Sequence, residues 1–103
     1  MIFVFEVRVI EGWTAEAYAD AWVRASKIIQ QAPGSRGTRL HRSIGDASRL
    51  LAIASWDSKA ARDAMEAHPS EEVQRIIASQ AEFVDIKVIG EFEDPDWVVD
   101  PPD

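Results

Sequence analysis

Residues 38–56 read TRLHRSIGDASRLLAIASW, two runs suited to extended chain, Thr38 to Ile44 and Arg49 to Trp56, on either side of Gly45-Asp46-Ala47-Ser48. A four-residue link rich in Gly, Asp and Ser between such runs is hairpin chemistry, so the two pair antiparallel. Pairing Ile44 with Arg49 places Arg39, His41 and Ser43 on one sheet face with Leu50, Ala52, Ala54 and Trp56, because side chains alternate along a strand. Leu50, Leu51, Ala52, Ile53 and Ala54 are apolar on both sides of the second run, which marks it as an inner strand.

Outward from the hairpin, residues 2–10 form another Val, Ile and Phe-rich strand, with Phe3, Phe5, Val7 and Val9 on one face and Ile2, Val4, Glu6, Arg8 and Ile10 on the other. Gly12 ends it and Thr14 caps a helix in which Tyr18, Ala21, Trp22, Ala25, Ile28, Ile29 and Ala32 recur at helical spacing. Pro33 and Gly34 stop that helix. Beyond the hairpin, Asp57 and Ser58 open a short helical stripe through Ala60, Ala61, Ala64 and Met65 to Pro69, and Ser70 then caps a second piece carrying Val73, Ile76 and Ile77. Residues 83–92 alternate Val84, Ile86 and Val88 with Asp85 and Lys87, a strand with one face on a core. The order β-α-β-β-α-β predicts an α+β ferredoxin-like plait, a four-stranded antiparallel sheet with its helices on one face. The other face would be left open and apolar, and self-association would cover it. We therefore divide the chain into a domain over 1–92 and an acidic, proline-rich tail over 93–103.

Composition narrows the function classes. With 103 residues, 47% hydrophobic and 28% charged, the chain suits one soluble domain whose size makes a deep cavity hard to build without a partner. It has no cysteine, so disulfides, thiolate metal sites and a cysteine nucleophile are excluded, and a reducing, cytoplasmic setting is expected. Residues 1–10 hold Glu6 and Arg8 within the apolar run and lack a basic leader, so neither a signal peptide nor a membrane span is expected. Of the net charge of −7, the tail supplies five acids and no base. An acidic balance argues against nucleic acid as a partner. Two histidines, His41 and His68, at no metal-ligand spacing, and no glycine-rich phosphate loop, imply no metal and no nucleotide cofactor.

The strand ending at Gly12, the Ala32-Pro33-Gly34-Ser35-Arg36-Gly37 turn, Leu40 to Ser43 before Gly45-Asp46, and Trp56-Asp57-Ser58-Lys59 leading through Ala64 to His68-Pro69-Ser70 together resemble the antibiotic biosynthesis monooxygenase domain over residues 2–92. The resemblance implies a homodimer in which two sheets form a shared α/β barrel, and a small-molecule site. The family spans cofactor-independent quinone-forming monooxygenases, heme-degrading oxygenases, isomerase-like members and others without known activity. Heme-degrading members would carry Asn where this chain has Val7 and a ligand His where it has Arg75; quinone-forming members would carry a polar residue where it has Ala52. The activity so implied is oxidation of an aromatic or polyketide-like compound, a hydroquinone or anthrone, by dioxygen without cofactor. The alternative is a non-catalytic dimeric ligand-binding or stress-associated protein.

Within that frame, Ala52 and Ala54 leave room for a flat ligand, Trp56 is its stacking wall, His41 the proton acceptor and Arg39 the partner of an enolate or phenolate. The competing reading makes Arg39 and His41 solvated edge-strand residues that block aggregation. His68, at the helix break, can reach a cleft between helix and sheet or simply cap a helix end. Tyr18 and Trp22, four apart on one helix face, either pack the core or edge the same cleft.

Overall fold

The computed structural model describes residues 1–103. Four segments become strands where β-branched and aromatic side chains concentrate: β1 (Ile2–Val9), β2 (Ser35–Ser43), β3 (Asp46–Trp56) and β4 (Val84–Phe92). Helix α1 (Ala15–Ile29) begins where the Thr14 side chain accepts a hydrogen bond from the Ala17 amide at 3.1 Å, and α2 (Lys59–Ala67) and α3 (Glu71–Gln80) begin in the same way on Ser58 and Ser70. The sheet order is β2-β3-β1-β4, antiparallel throughout. This is the α+β ferredoxin-like plait, its second crossover split into two helices at His68-Pro69-Ser70.

Phe5, Val7 and Val9 of β1 face α1, and with Leu50, Val84, Ala15 and Tyr18 they form the main core cluster. A second cluster joins Ala21 and Ala25 of α1 to Val73 and Ile76 of α3. At the end of α1 the chain reverses through Gly34, whose φ of +86° is left-handed. A methyl group at that position would lie 2.5 Å from Cβ of Ala61, so only glycine lets this turn reach α2. On the outer edge strand the prediction is corrected: Val84 is buried, but Ile86 and Val88 are more than half exposed because the helices do not extend over β4.

The hairpin register also differs from the sequence expectation. The turn is Ile44-Gly45 rather than Gly45 to Ser48, with Ser43 opposite Asp46. A register shift follows between Arg42 and Ser43, after which Arg42 pairs with Leu50, Leu40 with Ala52 and Thr38 with Ala54. Asp46 stabilises the irregular stretch, its Oδ1 accepting hydrogen bonds from the Ser48 amide at 3.0 Å and the Ser48 hydroxyl at 2.7 Å. A bulge of this kind adds residues to one strand only, and a one-residue difference in pairing turns every side chain to the other face.

On the uncovered face, Val4 is buried and Ile2, Leu51 and Ile53 are half-buried around Glu6. The Arg49 Nε donates to Glu6 at 2.9 Å, and this hydrogen bond, with Arg8 and Lys87 nearby, holds the Glu6 carboxyl below the usual glutamate range. The face is therefore mixed, an ion-pair network within an apolar surround, rather than wholly apolar. Residues 93–103 form no helix or strand and expose Trp97 and Val99 almost fully, with Asp94 binding the Met1 ammonium at 3.1 Å.

Candidate functional site

Between the helix-facing side of the sheet and the three helices lies a cavity of about 440 Å³. That is within the range of small-molecule sites, and one chain forms it without a partner, contrary to expectation from its length. Its origin is local. Ala54 on the sheet and Ala21, Ala25 and Ala32 on or after α1 leave the opposing walls without bulk, and the break at His68-Pro69 holds α2 and α3 apart at the mouth. Phe3, Phe5 and Trp56 line the sheet side, Tyr18, Trp22 and Ile28 the α1 side, and Met65, Val73 and Ile76 the side of the split helices.

The few polar groups in this apolar setting are placed distinctively. Trp56 is 1% exposed, yet its indole N–H donates to no protein atom and is not sealed from the remaining open space. Tyr18, 6% exposed, likewise has no protein partner for its hydroxyl, and burial pushes that hydroxyl from 10.0 up to about 12. At neutral pH it is a neutral donor. Arg62 lines the same space with its guanidinium 3.7 Å from the centre of the Phe3 ring, and it pairs with Glu66 one turn later at 3.0 Å. By contrast Gln80 is already engaged, accepting from the Trp13 indole at 3.1 Å. No group of three metal-ligating side chains converges anywhere in the structure.

Of the residues singled out in the sequence, Tyr18, Trp22, Ala54, Trp56 and His68 come together around the cavity. Ala52 is on the same sheet face but fully buried beneath the helices and does not line it. Arg39 and His41 are not brought there: the shifted register pairs them with Ile53 and Leu51, so they point from the opposite, uncovered face and are exposed. Missing from the sequence reading was Arg62, an ionic residue inside a stripe read for its alanines and Met65. Its position three residues before Met65, on the same side of α2, is the signal that could have found it.

The family model for antibiotic biosynthesis monooxygenases matches residues 1–79. The chain belongs to this family. Among solved structures it is similar to SnoaB, a cofactor-independent oxygenase from Streptomyces nogalater, at 13% identity and a TM-score of 0.70 over 93% of this chain and 96% of that one. A structure described as an antibiotic biosynthesis monooxygenase gives 18% identity and a TM-score of 0.69 over 92% and 100% of the two chains. A conserved Bacteroides thetaiotaomicron protein of unknown function gives 15% and 0.70 over 84% and 89%. At these identities the likeness is one of fold. No curated protein matches the chain. No helix is long and apolar enough to cross a membrane.

Proposed function

We propose that this family member is a cofactor-independent monooxygenase that takes a planar aromatic or polyketide-like compound of the hydroquinone or anthrone class into the cavity between sheet and helices. The observation that carries the reading is the apolar space of about 440 Å³ with Trp22 and Trp56 on its walls and few polar groups. For an anthrone, the ring methylene loses a proton to His68 at the mouth, and the carbanion reduces dioxygen directly. One oxygen atom becomes the new ring carbonyl and the other leaves as water with the two methylene hydrogens, so no external reductant is consumed. Tyr18, held neutral, donates to the substrate oxygen, and the dry walls protect the carbanion from water. Because Arg39 and His41 face away from the cavity, they belong in this reading to the surface through which two copies associate as a cytoplasmic homodimer.

An oxygen electrode and tryptophan fluorescence test this together. Anthrone should quench fluorescence on binding and be consumed with one dioxygen per molecule, and His68→Ala should slow turnover by about 10²-fold while leaving binding intact. Quenching without oxygen uptake would instead identify a ligand-binding protein, and absence of both would remove the cavity as a site.

A further inference from the structure

Arg62 is the one cation buried in the fold, 8% exposed, and it sits in the wall of an apolar cavity. A desolvated guanidinium needs an anion. Its partner is a weak one: Glu66 binds it through both terminal nitrogens, at 3.0 and 3.3 Å, but the Glu66 side chain is 61% exposed at the edge of the site and so is largely hydrated. Arg62 lines the cavity, and its Nε–H has no protein partner and is not sealed off from open space. The guanidinium stands over the Phe3 ring, its central carbon 3.7 Å from the ring centre.

We infer that Arg62 makes the cavity selective for aromatic anions, compounds carrying a carboxylate or phenolate oxygen in the plane of the ring, with Glu66 holding the guanidinium until the ligand replaces it. This rests on the cavity being the binding site, as proposed above, and adds the charge of what it takes. The ring lies between the half-buried Phe3 and Trp22 while its anionic oxygen takes the in-plane donors of Arg62, a charge-assisted contact in a water-poor space. Glu66, one helical turn along and near the mouth, can swing into solvent without disturbing the core. For an oxidation that begins from an electron-rich anion, the same guanidinium favours the ionised substrate.

The matched probes 2-naphthoate and 2-naphthamide share a ring system and differ in charge. Titrated at pH 7, the parent protein should bind the naphthoate at least tenfold more tightly. Arg62→Met, which keeps an unbranched apolar stem over Phe3, should abolish that preference, and Arg62→Lys should restore part of it. Glu66→Gln lies on the surface and does not endanger folding; it should strengthen naphthoate binding several-fold and leave naphthamide unchanged, an effect that a merely structural Arg62 would not produce. Absorbance of bound 2-naphthol as its phenolate supports a phenolate ligand, and neutral naphthol bound beside preferred naphthoate narrows the ligand to a carboxylate. Equal binding of both probes by the parent, an unchanged preference in Arg62→Met, or weakened naphthoate binding in Glu66→Gln overturns the role of Arg62. Binding of neither probe overturns the site itself.

Discussion

Filling the cavity from its sheet side separates ligand space from structural packing. Ala54 lies between Phe3 on β1 and Thr38 on β2, half-buried in the cavity wall. Ala54→Leu adds three carbons, worth up to about 2.4 kcal/mol at roughly 0.8 kcal/mol per buried carbon, less about 0.5–1 kcal/mol of lost rotamer freedom. In a tightly packed core the same change would cost about 1–3 kcal/mol through overpacking. Here no protein atom fills the space beside Ala54, so the variant should be more stable than the parent by about 1–2 kcal/mol, and for a domain of this size each kcal/mol raises Tm by roughly 4–8 °C. Calorimetry measures that gain, and fluorescence quenching by an anthrone-class compound should fall sharply in the same variant. A variant that melts lower than the parent and binds the compound equally well would refute both the room for added side-chain carbons and the use of the space by a ligand.

Four further outcomes follow from the geometry. Tyr18 is the chain's single tyrosine, so its absorbance titration can be read without overlap and should place its ionisation near 12 instead of 10.0. Because the unfolded state loses that proton first, the stability tied to Tyr18 is full below pH 10 and is lost as pH rises toward 12, and Tyr18→Phe should abolish this alkaline loss. Gly34→Ala forces a side chain into a left-handed position against Ala61 and should lower stability by roughly 1–3 kcal/mol in urea unfolding; a neutral result would contradict the close approach. Light scattering after gel filtration should give twice the chain mass, and a clean monomer at micromolar concentration would sink association through the uncovered face. Truncation after Phe92 removes Asp94 from the Met1 ammonium and should lower Tm or dimer affinity if Trp97 and Val99 dock on a second copy; no change in either means the tail stays free.

Local signals carried the sequence reading furthest. Thr14, Ser58 and Ser70 cap helices because a hydroxyl and an unpaired amide three residues on suffice. The end of α1 was legible only approximately: the helical spacing runs on to Ala32 before Pro33-Gly34, whereas the helix closes at Gln30. Strand identity and order were legible from local signals too. Register was not, since the shift beside Ser43 depends on how Asp46 binds Ser48, and that one irregularity moved Arg39 and His41 away from the site. Trp56 and Ala54 were found because bulk beside small side chains on one strand marks a gap. Arg62 escaped because a charge at helical spacing from Glu66 reads as a solvated pair, and only the packing of α2 over Phe3 reveals its burial.

The sheet between the cavity and the uncovered face is a single layer, so β1 and β3 each carry two interleaved alphabets. Phe3, Phe5 and Ala54 can be varied to reshape what the cavity accepts, while Ile2, Val4 and Ile53, their immediate neighbours in the chain, keep the opposite surface unchanged. For directed evolution this makes the shape of the cavity and the character of the uncovered face nearly orthogonal traits: a library over the first set can be screened for ligands without altering the residues of the other face.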